Sequence, residues 1–192
     1  MQLDSSKPGQ RRPSRAEIEA ARGREVVDII APGLDILFCG INPSLYSAAV
    51  GHHFARPGNR FWPVLHRAGF TPRQLSPAED NTLPAYGLGI TNLVARATAN
   101  ATELSAAELR AGSQALRHKL EQYRPRSLAV LGISAYRSAF AAPQAQLGRQ
   151  QMSIAGVPVW VLPNPSGLNA HYQLPELTAV YAELRATMGA GR

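Results

Sequence analysis

Asn42 is the residue whose type and setting first suggest chemistry. It lies in the stretch Leu37-Phe38-Cys39-Gly40-Ile41-Asn42-Pro43-Ser44. Pro43 disfavours an α conformation at Asn42 and supplies no backbone donor, so the asparagine is held extended on a turn. A carboxamide there can accept from and donate to a water, but it is a very poor proton acceptor. The segment Gly51-His52-His53-Phe54-Ala55-Arg56-Pro57-Gly58-Asn59-Arg60-Phe61-Trp62 follows closely. Its glycines and Pro57 predict a rigid wall, with Phe54 as its flat surface. A planar ligand and a positioned water are the chemistry this combination suggests.

The elements that must position these residues follow from patterning. Asp35-Ile36-Leu37-Phe38-Cys39 is short and apolar enough for a buried parallel strand, and Asn42 then lies at the carboxyl end of a central strand, where open α/β sheets place ligands. A second strand and the loop leaving it are expected over Tyr86–Val94, and further strands over Ser127–Gly132 and Pro158–Leu162. The last runs into Asn164-Pro165-Ser166-Gly167-Leu168-Asn169. Ser14 with Glu17 and Ser105 with Glu108 form capping boxes opening helices to about Val27 and Tyr123. In the second of these, Leu109, Leu116 and Leu120 share one face. Short helices are expected over 60–67 and 134–141, helical turns at Thr71-Pro72-Arg73 and Ser76-Pro77, and a last helix from about Pro175 to Met188. Phe61 and Trp62 are assigned to the core. Alternating strands and helices predict an α/β fold: three layers, with a mostly parallel four- to five-stranded sheet covered on both faces.

Residues 1–14 are polar, basic and broken by Pro8 and Pro13, which predicts a flexible arm before a single domain over 15–192. The arm either tracks phosphates or is simply solvated. Twenty Lys+Arg against 13 Asp+Glu give a net charge of +7 and a pI near 10.2. That balance suits a polyanionic partner or a basic solvated surface. One cysteine excludes an intrachain disulfide framework and a multi-Cys metal site, and Cys39 reads as a packed thiol. No apolar run reaches membrane-spanning length and no signal-peptide core opens the chain, so the expectation is a soluble, cytoplasmic protein. Neither a G-x-x-x-x-G-K-[ST] loop nor a clear G-x-G-x-x-G fingerprint is present, which argues against a nucleotide-metabolising enzyme at the same switch point.

Gly40-Ile41-Asn42-Pro43, Gly51-His52-His53-Phe54, Pro57-Gly58-Asn59-Arg60-Phe61-Trp62 and the late Asn164-Pro165-Ser166-Gly167-Leu168 closely resemble the mismatch-specific uracil/thymine-DNA glycosylase family. The resemblance spans about Leu34 to Leu184. It implies a uracil-DNA glycosylase-like fold acting as a monomer on double-stranded DNA with G:U or related mispairs. No cofactor or metal is implied, because water is the co-substrate. The target nucleotide would be flipped into a pocket, with Asn42 positioning the attacking water, Phe54 stacking on the base, and Gly40, Ile41 and Asn59 completing the base site. Ser47 either tunes which bases fit or is an ordinary turn or helix-start serine. Absence of a lysine at a nucleophile position implies a monofunctional enzyme that leaves an abasic site.

Asn164, Ser166, Gly167, Leu168 and Asn169 resemble a wedge that enters the vacated stack and faces the widowed guanine. Two departures stand out. Ala170 occupies a position where some relatives carry arginine, with His171 or Tyr172 as candidate substitutes. Ala95 occupies one where relatives commonly carry an acidic residue, after the run Gly89-Ile90-Thr91-Asn92-Leu93-Val94. Either Asn42 acts alone, or Ala95 marks an activity-reduced mismatch binder, or Ala95 is a neutral loop residue.

Overall fold

A computed structural model describes residues 11–188, so the arm expected over 1–14 falls mostly outside the described residues. Five strands form one sheet in the order β2-β1-β3-β5-β4: β1 (Ile36–Gly40), β2 (Leu88–Asn92), β3 (Ser127–Leu131), β4 (Gly148–Arg149) and β5 (Val159–Leu162). The first three and β5 are mutually parallel, and β4 is an antiparallel edge strand paired with β5. In register, Phe38 faces Ile90 on one side and Ala129 on the other.

Every residue of β1 is buried. Successive side chains of a strand point to opposite faces, and both faces of this sheet are covered. Ile36 and Phe38 join a cluster with Phe61, Leu65, Tyr181 and Leu184, from helices α3 (Phe61–Arg67) and α6 (Leu174–Thr187). Leu37 and Cys39 join Leu116, Leu120 and Tyr136 on the other face, from α4 (Ala106–Tyr123) and α5 (Ile133–Ala139). Phe38 meets Phe61 edge-on with ring centroids 5.4 Å apart. Cys39 is fully buried, and desolvation pushes its thiol pKa up; it is a packing residue, as its place in the apolar run predicts.

The Ser105 capping box is present and α4 ends at Tyr123 as expected. The Ser14 box is also present, but its helix α1 covers only Arg15–Glu19 rather than reaching Val27. Gly23, at φ +77°, turns the chain. The β-branched Val26, Val27, Ile29 and Ile30 then lie outside any helix, with Ile29 bridging Ile90. Thr71-Pro72-Arg73 forms bends rather than a helical turn, whereas Ser76 does open a 3-10 segment, Pro77–Tyr86. Three elements had no sequence expectation: the two-residue β4, too short for periodicity, the 3-10 turn Ala101–Glu103, and α2 (Leu45–Val50), capped by Ser44 and stopped by Gly51 at φ +75°.

Candidate active site

The carboxyl ends of β1, β2, β3 and β5 open into one cavity of about 360 Å³. Its lining includes Gly40, Ile41, Asn42, Ser47, Phe54, Asn59, Asn164, Ser166, Leu168 and Asn169, so most residues singled out from sequence converge there. Two do not line it. Gly167 lies in an adjoining groove with Arg56–Arg60, and Ala95 is exposed and outside the lining.

The segment after β2 is laid along the turn after β1. Leu93 N–H donates to Gly40 C=O (2.9 Å), Val94 N–H to Ile41 C=O (2.9 Å) and Thr98 N–H to Pro43 C=O (3.2 Å). Helix α4 approaches this segment at Gly112, where a Cβ would come within 2.1 Å of the Leu93 carbonyl oxygen. The consequence is the setting of Asn42. Its Nδ2 donates to Arg96 C=O at 3.0 Å and to Thr98 Oγ1 at 2.7 Å, and the Thr98 hydroxyl donates in turn to Asn100 C=O at 2.8 Å. A carbonyl can only accept, so the NH₂ group must face Arg96 and the orientation of the carboxamide is fixed. Both amide hydrogens are committed, which leaves Oδ1 as the polar atom that meets the cavity.

The flat wall is built with backbone strain. Phe54 is held at φ +52°, a left-handed conformation that costs a non-glycine residue about 1–2 kcal/mol. Its ring stacks on Phe61 with centroids 4.1 Å apart and planes 25° apart. Gly40 supplies the clearance beside it: a Cβ there would lie 2.5 Å from Asn92 Oδ1 and 3.3 Å from Phe54 Cζ. Ser47 Oγ accepts from Ala55 N–H at 3.0 Å and pins the residue after Phe54 to α2. Ser47 therefore holds the stacking wall in place and is more than a helix-start serine.

Carboxamides surround the opening. Asn59 Oδ1 accepts from Phe61 N–H (2.9 Å) and Asn164 Oδ1 from Ser166 N–H (2.9 Å), so each amide NH₂ is the group left for the cavity. Asn169 closes the turn, with Nδ2 donating to Asn164 C=O at 2.9 Å. Leu168 projects from this turn with 69% of its surface exposed, unusual for so large an apolar side chain. Arg60 holds the turn from below. Its guanidinium reaches the carbonyls of Tyr172 (2.8 Å), Asn169 (3.0 Å), Ser166 and Gly167 (both 3.4 Å), and Oε1 of Gln173 (3.0 Å). Gly167 fits tightly against the wall segment, where a Cβ would lie 2.6 Å from the Gly58 carbonyl oxygen.

No carboxylate lines the cavity among the described residues, and its only titratable side chains are His53 and Arg56. His53 is buried. Desolvation lowers its pKa, partly opposed by the contact between its Nε2 and Val27 C=O at 2.9 Å, so the ring is neutral and Nε2 donates. Outside the cavity, Arg96 Nε donates to Glu108 Oε1 at 2.6 Å, and this bond, with the Ser105 amide, holds the Glu108 carboxyl at about 2. No cluster of potential metal ligands occurs among the described residues. None of their helices is long and apolar enough to cross a membrane.

Sequence reasoning missed Asn92, His53, Thr98 and Arg60 as contributors. Asn92, His53 and Arg60 lie inside the segments that carry the resemblance, but nothing local tells their side chains apart from their neighbours. Thr98 carries no signal, because its partner is 56 residues away.

A solution NMR structure of a protein from Methanosarcina acetivorans, provisionally assigned as a uracil DNA glycosylase, superposes with a TM-score of 0.57 at 21% identity. The match covers 85% of this chain and 98% of that one, and shows that the two share a fold. A family model described as the uracil DNA glycosylase superfamily matches residues 27–185, from the segment that bonds His53 through the Leu168 turn to α6. On that match the chain belongs to the uracil DNA glycosylase superfamily, the DNA glycosylases that hydrolyse the bond between a base and its sugar.

Proposed function

We propose that this DNA glycosylase is mismatch-specific, monofunctional and monomeric, excising uracil paired with guanine and leaving an abasic site. Thymine and damaged cytosines are candidate further substrates. The target nucleotide is rotated out of the duplex, because its glycosidic bond is inaccessible within the stack. The flipped base slides against the free face of Phe54. Main-chain amides at Ile41 and Phe54, with the carboxamides of Asn59 and Asn164, hold its polar edge. Leu168 fills the gap left in the stack, and backbone groups of Gly167 and Asn169 face the widowed guanine.

The fixed carboxamide of Asn42 is the observation that carries this reading. With its NH₂ group tied to Arg96 and Thr98, Oδ1 accepts a hydrogen from one water and aims that water's lone pair at the anomeric carbon. Asn42 positions the water without deprotonating it. The carbon–nitrogen bond lengthens first, the sugar takes on oxocarbenium character and negative charge grows on the departing base. Donors already facing the base stabilise that charge without reorganisation. The water then adds and releases its proton to solvent. Such a mechanism is slow.

A second reading is favoured by one observation: among the described residues no carboxylate lines the cavity, and Ala95 offers only an exposed methyl. On that reading the chain is a mismatch binder that flips bases but turns them over poorly. Single-turnover excision on a labelled G:U duplex, with the Ala95→Asp variant alongside, separates the two. Alkali-sensitive breaks at similar rates from both proteins are expected, making Ala95 incidental. Tight binding to G:U duplex with no abasic sites would select the binder, and cleavage by Ala95→Asp alone would mean that the missing carboxylate matters.

A further inference from the structure

The superfamily match begins at residue 27, yet the described residues before it are built into the wall that sets Asn42. After α1 the chain turns at Gly23, and Gly23 N–H donates to Ala97 C=O at 3.0 Å while Ala97 N–H donates to Arg24 C=O at 2.8 Å. Both backbone groups of Ala97 are therefore held by the N-terminal segment. Ala97 sits between Arg96 and Thr98, the two partners of the Asn42 carboxamide.

Side chains tie the same two segments together. Ala21, Val26, Leu45, Ala48 and Ala97 form a small apolar cluster separate from those on the two sheet faces, with Ala21 and Ala97 fully buried. At the far end Arg22 Nη1 donates to Glu103 Oε2 at 2.7 Å, and the other oxygen of Glu103 accepts from Asn100 N–H at 2.9 Å. The segment 96–103 is thus gripped at its start by a backbone exchange and at its end by an ion pair. Connecting segments on a surface are ordinarily more mobile than the elements they join. A displacement near 1 Å in a group that orients a reactant can cost about 100-fold in rate.

We infer that residues 14–26 are a positioning element for the hydrolytic water. They hold the Arg96 carbonyl and the Thr98 hydroxyl where these must stand to keep Asn42 Oδ1 aimed into the cavity. The inference rests on the role of Asn42 proposed above.

Gly23 gives a clean test in the full chain. Gly23→Pro removes the donor to Ala97 and cannot adopt φ +77°. Gly23→Asn keeps the N–H, tolerates a left-handed φ, and meets nothing within 4 Å at its Cβ. Single-turnover excision of uracil from a G:U duplex is expected to fall about 10- to 100-fold in Gly23→Pro and to recover in Gly23→Asn. Affinity for a G-opposed 2′-fluoro-deoxyuridine duplex, which resists cleavage, should stay within about 3-fold, since substrate binding does not depend on where the water is aimed. A lowered melting temperature with an unchanged single-turnover rate would reduce the segment to a structural strap and overturn the inference. Parallel loss of affinity and rate would make it a DNA contact, with the same consequence.

Should Gly23→Pro not fold, Arg22→Ala decides. About a 2- to 3-fold lower rate at unchanged affinity, restored by Arg22→Lys, supports the inference, in keeping with the modest worth of an exposed ion pair; an unchanged rate overturns it. Asn42→Ala separates the two levels. If it excises at the parent rate, the role of Asn42 falls and the positioning inference with it. If it is inactive while Gly23→Pro excises normally, only the positioning inference falls.

Discussion

Asn42 Nδ2 donates to Thr98 Oγ1 at 2.7 Å, across 56 residues of sequence. The hydroxyl of Thr98 is itself spent on Asn100 C=O, so its oxygen can only accept from the asparagine. Together with the Arg96 carbonyl, this contact fixes which end of the Asn42 carboxamide faces the cavity.

Removing the acceptor while keeping the shape should therefore loosen Asn42 without emptying the pocket. Thr98→Val is expected to lower single-turnover excision about 10-fold, the equivalent of one hydrogen bond of about 1.4 kcal/mol. Thr98→Ser should retain most of the rate, and Asn42→Ala should lose excision while still binding the duplex. Equal rates for the valine and parent proteins would detach Thr98 from the reaction.

Arg60 satisfies four carbonyls of the Leu168 turn with one planar guanidinium, a fork that lysine cannot reproduce. Arg60→Lys is expected to raise KM on a G:U duplex about 10-fold while leaving excision from single-stranded uracil DNA nearly unchanged, because only a duplex requires the wedge. Leu168→Ala should show the same split. If both substrates suffer equally in steady-state assays, the wedge assignment is wrong.

Gly40 tests the shape of the base site. A methyl group at this position would press on Asn92 Oδ1 and on the edge of Phe54, and Phe54 cannot retreat because Phe61 is stacked behind it. Gly40→Ala should weaken binding of the cleavage-resistant G-opposed duplex at least about 10-fold, since overpacking a close contact costs about 1–3 kcal/mol. Its melting temperature should change less than its affinity. Unaltered affinity would place the base elsewhere in the cavity.

Burial of His53 predicts a pH dependence of stability. Its folded pKa lies below the ordinary value of 6.5, mainly through desolvation. Above about pH 6.5 both the folded and unfolded chains carry a neutral ring and the group contributes no slope. As pH falls through the unfolded value, the unfolded chain binds the proton first and stability is lost until the folded value is passed. Thermal melts between about pH 7.5 and 5.5 should thus shift downward. His53→Gln, which retains a donor for Val27 C=O, should flatten that part of the profile. An unchanged slope would assign the acid sensitivity to other groups.

Local patterning carried most of the architecture. The apolar run ending at Gly40, the Ser105 box and the leucine face of α4 needed only neighbours a few residues away, and each led to the observed strand or helix. The Ser14 helix was overextended because nothing local announces that Gly23 will turn with positive φ and pair with Ala97. The two-residue β4 was invisible for want of any period.

Asn42, Phe54 and Leu168 were legible as a set because their segments resemble those of one known family, and they follow β1 and β5, parallel strands whose carboxyl ends lie at one edge of the sheet. Sequence alone thus determined the fold class and the segments that meet at the cavity. Tertiary structure alone decided that Asn42 exposes its oxygen, that Ser47 pins the stacking wall, that Arg60 carries the Leu168 turn, and that Ala95 lies outside the lining. Those outcomes depend on hydrogen bonds between atoms far apart in the chain, whose partners become definite only when the sheet has set the spacing between its loops.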